Sequence, residues 1–280
     1  MIQTGNCYEV LQNIRYAINE HSDDLVKGLD VTGAFQNSYL VGMINKAQRF
    51  IFGLLFNQFP DLFLKRESLV FTDSVAVLPV DCYKIQSILD AAYSPIVPIG
   101  INERQSIPGS GSRYKYYRYG NNIQVEKDAI SESGTIWYYS RCRDLTMGLS
   151  TAGGVKSLTL ATSARAQADY YNGMKIENVS KDWLDLITDY EADRECILEV
   201  ETGDAEEYYG LVPELPEDFH GLIEERAIIE VKQHPKAPFK VTAEDIEIFN
   251  GNFRSVMIGF AGTNTGDINI DALINDFTPY

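Results

Sequence analysis

The residue types able to do chemistry are scattered along this chain and not gathered. His21, His220 and His234 lie far apart, and none belongs to an HExxH arrangement, which would set two imidazoles on one helix face for zinc. Cys7, Cys82, Cys142 and Cys196 are dispersed with no CxxC pair. They read as reduced, buried thiols of a cytosolic chain, not as a disulfide or zinc framework. Asp189, Glu191, Asp193 and Glu195 alternate as the oxygen ligands of a cation loop do, but Arg194 stands where an EF-hand needs glycine for its sharp turn, so a solvated hairpin is expected. Pro108-Gly109-Ser110-Gly111-Ser112 has no following Gly-Lys-Ser/Thr and no strand-then-helix flanks, which leaves a flexible loop in place of a phosphate cradle. The adjacent pairs Glu206-Glu207 and Glu224-Glu225 cannot flank a glycosidic bond from two sides and are expected on solvated faces. The sequence thus predicts no enzyme: no catalytic residue, no cofactor and no metal.

Two stretches are suited to binding. Arg113 to Arg118, RYKYYR, offers ring faces and guanidinium groups that stack on a nucleic acid or a sugar; the alternative is a strand showing alternate faces of a sheet. Near the C-terminus, Ile268, Ile270, Leu273, Ile274 and Phe277 follow a Gly/Asn/Thr stretch and are too apolar for a plain linker. They are candidates for docking on a partner, as an added strand or a helical turn in a groove, or for folding back on their own subunit.

Composition sets the limits. The 280 residues are 45% hydrophobic and 23% charged, as in a globular protein with a sizeable core. The 24 Lys and Arg against 40 Asp and Glu give a formal charge of -16, which opposes binding to phosphate backbones or anionic lipid and disfavours a DNA-binding regulator. A like-charged wall past which DNA slides is compatible with it. The first residues lack a basic segment followed by an apolar run, and the greasiest stretch, Phe50 to Phe56, is far too short to span a bilayer, so a soluble chain with no membrane partner is expected.

These residues must be positioned by recognisable elements. Asn6 with Glu9 has capping-box spacing ahead of a helical stripe of Val10, Leu11, Ile14, Ala17 and Ile18. Leu40, Ile44, Ala47, Ile51, Leu54 and Leu55 line a second helix ending near Phe59-Pro60. From Leu62 the period shortens to that of strands, with turns at Asp73-Ser74 and Gly120-Asn121, and Leu149 to Val155 marks the start of a further set of strands. In Leu211 to His234, LVPELPEDFHGLIEERAIIEVKQH, Pro216 is expected at the first helical position, with Glu217 and Asp218 at the positive end of the dipole and Phe219, Leu222, Ile223, Ala227 and Val231 as the buried stripe. A last helix starts at Thr242 with Asp245 three residues on, and its stripe runs Ile246, Phe249, Phe253, Val256, Met257, Phe260. The two helix pairs bury their stripes on each other only if the β portion loops out. The expected fold is therefore α+β, a helical bundle formed by N- and C-terminal helix pairs with a looped-out antiparallel β region and a β insertion. The parts are 1–61 (N-terminal helices), 62–148 (β region), 149–210 (inserted β subdomain), 211–261 (C-terminal helices) and 262–280 (docking tail).

So arranged, the chain resembles the head-to-tail adaptor, or connector, proteins of tailed bacteriophages. The likeness is carried by Asp61-Leu62-Phe63-Leu64-Lys65 with Val77-Leu78-Pro79-Val80-Asp81-Cys82-Tyr83-Lys84-Ile85, by Ala168-Asp169-Tyr170-Tyr171-Asn172-Gly173-Met174 with Ile187-Thr188-Asp189-Tyr190, and by Leu215-Pro216-Glu217-Asp218-Phe219-His220. The resemblance covers about Ser38 to Phe260, and neither Met1 to Gly33 nor the acidic tail defines the family. It implies a structural virion protein at the head-tail junction, made in the host cytoplasm. Identical subunits, commonly twelve in the family, would form a ring, a dodecamer, that binds the portal protein, extends the DNA channel without binding genomic DNA specifically, and presents a surface to tail or nozzle proteins. The rival reading is a carbohydrate-binding or depolymerising phage tail component, suggested by 17 Tyr and 2 Trp in an acidic, β-rich chain.

Overall fold

A computed structural model of the chain describes residues 5–20, 35–100, 114–125 and 132–264. It divides into two compact units, Phe59–Arg141 and Met1–Gln58 with Cys142–Tyr280.

The Phe59–Arg141 unit is built on one seven-stranded sheet: β1 (Leu64–Val70), β2 (Val75–Val77), β3 (Cys82–Leu89), β4 (Pro95–Pro98), β5 (Lys115–Tyr119), β6 (Asn122–Val125) and β7 (Ser133–Ser140). The order is β1-β7-β3-β4-β5-β6-β2, antiparallel except for the parallel β4–β5 pair. Its end strands are neighbours in sequence. Asp73 and Ser74 take positive φ values of 49° and 67°, the left-handed backbone of a tight hairpin turn, and Thr72 and Val75 exchange backbone hydrogen bonds of 2.8 and 3.0 Å. β1 then pairs with β7 while β2 pairs with β6, so the sheet curls almost to a barrel. Alternation sends Leu69, Ile88, Ile96, Ile123, Ile136 and Tyr138 inward.

The other unit holds the helices α1 (Cys7–Ala17), α2 (Asn37–Gln58), α3 (His220–Lys232) and α4 (Ala243–Asn264), together with a second seven-stranded sheet. Its strands are β8 (Met147–Leu149), β9 (Ala152–Gly154), β10 (Ser157–Thr159), β11 (Lys175–Asn178), β12 (Trp183–Tyr190), β13 (Glu195–Leu198) and β14 (Tyr208–Leu211), in the order β8-β14-β11-β12-β13-β10-β9. Only Ser150 and Thr151 separate the two end strands; the Ser150 N–H donates to the carbonyl of Glu207, the residue just before β14, and the Thr151 N–H donates to the carbonyl of Thr159 in β10. Gly153 lies where an added Cβ would be 2.3 Å from Gly203, so this glycine in Leu149 to Val155 serves close backbone approach.

The predicted helical bundle with a looped-out antiparallel β region is overturned. Sheets make up the body of the protein, one of them belongs to the same compact unit as the four helices, and α1 seats on β14 and β8 as well as on α2 and α3. Helical periodicity says which face is buried and is silent about what covers it. The stripes themselves are where the spacing put them. Leu11, Ile14, Leu40, Ile44, Ile51, Leu222, Ile223, Phe249, Phe253 and Met257 are all buried.

The helix starts carry the expected chemistry with one shift. Asn6 Oδ1 accepts from the N–H groups of Tyr8 (2.9 Å) and Glu9 (3.0 Å), while the Glu9 carboxylate accepts from Gly5 N–H at 3.2 Å. Thr242 and Asp245 cap α4 reciprocally: Asp245 Oδ2 accepts from Thr242 N–H at 2.8 Å, and Thr242 Oγ1 accepts from Asp245 N–H at 3.1 Å. Pro216, expected inside α3, instead precedes a 3-10 turn, Glu217–Phe219, and the α-helix begins at His220. The short turn lets Phe219 reach the interior before the helix is under way.

Candidate functional site

One concavity in the helical unit lies beside the first turns of α2. Asn37, Ser38, Val41 and Asn45 form one wall and Asp144 to Gly148, Ala161 to Ser163, Arg165 and Tyr171 the other, around a space of about 430 Å³. Its polar groups are largely engaged with one another. Asn45 clamps the backbone of Leu145, donating to its carbonyl at 3.0 Å and accepting from its N–H at 2.6 Å. Asp144 accepts from Arg165 at 2.5 Å and faces Arg49 at 3.5 Å, and the Arg165 guanidinium lies over the Tyr170 ring at 4.7 Å. The Tyr171 hydroxyl receives the Arg165 N–H at 3.4 Å, and burial pushes its titration upward. Such a cleft can hold a small polar molecule, but it presents no activated nucleophile, and its ion pairs hold two loops against a helix.

Around it, buried polar groups serve as fasteners. Arg143 is 4% exposed; its guanidinium takes Glu214 with two nitrogens (3.1 and 2.6 Å) and donates to the carbonyls of Tyr170 (3.1 Å) and Asn172 (2.5 Å). Asp185 accepts the N–H groups of Leu186, Val200 and Glu201, tying the end of β13 to β12. Glu207, expected on a solvated face, is buried: it accepts from Asn178 Nδ2 and from Asp204 N–H, and it pairs with Lys181 at 2.6 Å. Sequence reasoning missed it because a carboxylate beside another in a polar loop carries no sign of its buried donors. Glu224 and Glu225 are half-buried, accept from Asn13 and Asn252, and are shifted upward by desolvation.

No protein-family model and no curated protein matches this chain.

The other singled-out residues are placed as follows. His220 is buried, and its Nε2–H donates to the Leu215 carbonyl at 2.8 Å. His234 lies edge-on to Phe35 and Tyr39. Asp189 to Glu195 form the β12–β13 hairpin, with Asp193 accepting Glu195 N–H and Arg194 donating to the Ala164 carbonyl. Among the described residues no group of three or more His, Cys, Asp or Glu could hold a metal ion, and no helix is long and apolar enough to cross a membrane. All four cysteines are buried; burial raises Cys7 and Cys196, and lifts Cys82 to about 11, so none of these three is a ready thiolate. Of the RYKYYR stretch, Tyr116 and Tyr117 are buried in β5 while Tyr119, just beyond, is 68% exposed. His21, the loop at Pro108 to Ser112, Arg113 and the docking candidates Ile268, Ile270, Leu273, Ile274 and Phe277 lie outside the described residues.

The two units differ in charge. Phe59–Arg141 has 9 Lys and Arg and 9 Asp and Glu, whereas the remainder has 15 against 31, so the whole net charge of -16 sits on the helical unit.

Proposed function

We propose that this chain is a structural virion protein, a head-to-tail adaptor that assembles as a ring on the portal of a tailed bacteriophage, extends the DNA channel and receives the tail. The observation that carries the reading is the segregation of charge: one compact unit is neutral and the other holds all of the net -16. A ring of identical subunits needs two unlike, mutually complementary surfaces on each copy, and a channel that DNA must traverse is better lined by like charge than by a polycation. The interior fits the same role. Arg143, Asn45, Asp185 and Glu207 all spend their polar atoms on holding backbone and partner side chains in place. α4 also leaves Ile248 and Ile258 54% and 56% exposed on the side away from its buried stripe, apolar surface available for assembly.

The test is co-sedimentation of the purified chain with portal rings, followed by electron microscopy. Capping of portal rings is the expected result, together with weak DNA affinity even at low salt. Absence of capping, or tight salt-sensitive DNA binding, overturns the proposal. Binding to a glycan array or cleavage of a polysaccharide would favour the tail-component reading instead.

A further inference from the structure

The outer side of β1, β7 and β3 is a surface to which nothing above assigns a role. Register sets its side chains in rows: Arg66 and Ser87 flank Trp137, and Leu64 and Lys84 flank Tyr139. The inward residues between them, Ile136 and Tyr138, are fully buried, so the rows face out. The Arg66 guanidinium lies 5.6 Å from the centre of the Trp137 ring. Irregularities in β3 at Cys82/Lys84 and Ile85/Ser87 bend the strand and turn Tyr83, 52% exposed, outward as well. These three strands hold one carboxylate, Glu67, and it reaches the other side to accept from the Tyr138 hydroxyl at 2.6 Å. On a chain of charge -16, this is an aromatic face bearing only cations.

Its complement is on the same chain. From Asp182 to Glu207 there are 11 carboxylates and one cation, Arg194, with Lys181 at the border bonded to Asp204 and Glu207. Within that stretch Val200 is 66% exposed between Glu199 and Glu201, on backbone that Asp185 fixes by accepting the N–H groups of Val200 and Glu201. Val155, 86% exposed, stands at the same end of the sheet, where Lys156 Nζ donates to the Glu199 carbonyl at 2.7 Å. Val200, an apolar knob rimmed by Glu199 and Glu201, thus matches rings rimmed by cations.

We propose that the Trp137/Tyr139 face of one copy receives the Glu199-Val200-Glu201 end of a second copy. The contact is head-to-tail: each copy uses one surface as donor and the other as acceptor, so it propagates from copy to copy and closes as a ring if the rotation permits. It rests on the adaptor reading for its purpose and names the lateral contact of that ring, while its physical basis is charge and apolar complementarity alone. Rim cations and acids steer the encounter, and the rings and valines supply desolvated area.

Sedimentation of the isolated full-length chain at low salt tests it. The wild type should self-associate, Arg66→Glu with Lys84→Glu should weaken association by about tenfold or more, and adding Glu199→Lys with Glu201→Lys should restore it. Arg66, Lys84 and Glu199 are exposed and Glu201 is half-buried, and circular dichroism checks that each variant folds. A wild type that stays monomeric at the highest concentration, an unchanged association in the Arg66/Lys84 variant, or a loss that the second pair does not restore overturns the contact. So does Trp137-dependent binding of single-stranded nucleic acid or an anionic oligosaccharide in place of a second copy. If portal rings are still capped while any of these outcomes holds, only this contact fails; if the wild type does not cap portal, the adaptor reading fails on its own.

Discussion

A charged side chain that leaves water must find its stabilisation among fixed partners, and Arg143 shows how fully that is done. Its fork meets Glu214, and its remaining donors close on two carbonyls. Removing its side chain leaves Glu214 only the Arg143 backbone N–H, at 2.8 Å, of these donors and takes the guanidinium from two carbonyls, so Arg143→Ala should cost about 3–5 kcal/mol, and Lys should rescue little because a point charge lacks the fork. Urea titration of the three proteins measures both. Asp245 gives the pH counterpart. Lys232, 2.6 Å away, together with the capping bonds of Thr242, lowers its carboxyl to about 2 from an ordinary 3.8. A carboxylate whose folded pKa is depressed contributes stability above the unfolded value and loses it as pH falls through the folded one. Asp245→Asn should therefore be less stable than wild type at pH 5, with the difference shrinking between about pH 4 and 2. Denaturant midpoints of both proteins across that range check it.

At the level of elements, the seat of α1 shows what sequence could and could not disclose. The Asn6/Glu9 spacing announced the cap, but the cap is also a tertiary contact: Asn6 Nδ2 donates to the Glu177 carboxylate of β11 at 2.9 Å, and Gly210 of β14 leaves room for the helix terminus. A Cβ at Gly210 would lie 2.5 Å from Asn6 Oδ1 and 2.8 Å from Tyr8 N. Gly210→Ala should thus cost about 1–3 kcal/mol as overpacking. Gly251→Ala in α4, where nothing lies within 4 Å, should instead stabilise by up to about 1 kcal/mol through helix propensity. Thermal melts of the two variants separate these outcomes. The same contrast explains the failed expectation of a bundle. Local signals, caps and stripes and the turns at Asp73-Ser74 and Gly120-Asn121, depend on neighbours in sequence and were legible. That β1 pairs with β7 and β8 with β14 depends on residues 59 to 75 positions apart, and nothing in the neighbourhood of Trp137 marked it as outward-facing until register placed it.

For the whole molecule, the division into a neutral unit and an acidic one has a consequence that can be read with the chain's own fluorophores. Its 2 tryptophans fall one to each unit, Trp137 in Phe59–Arg141 and Trp183 in the other. Trp183→Phe leaves a reporter on the neutral unit, and Trp137→Phe leaves one on the acidic unit. Each unit has its own buried core, so Ile136→Ala, at a site of 0% exposure, should lower the transition seen by Trp137 by about 2–5 kcal/mol and leave the one seen by Trp183 nearly in place. Equal shifts would mean that the two units unfold as one. Salt should act in the opposite sense. Self-repulsion among 31 carboxylates against 15 cations destabilises the compact acidic unit, while the 9-against-9 unit carries no such load. Shortening the Debye length from about 30 Å to about 8 Å should raise the urea midpoint reported by Trp183 and scarcely move that reported by Trp137. Urea is the denaturant to use because, being uncharged, it leaves the repulsion unscreened. A midpoint reported by Trp183 that ignores salt would show that the acids of this unit are compensated locally, as Glu207 and Asp185 are. The charge asymmetry on which the proposed ring rests would then carry no long-range field.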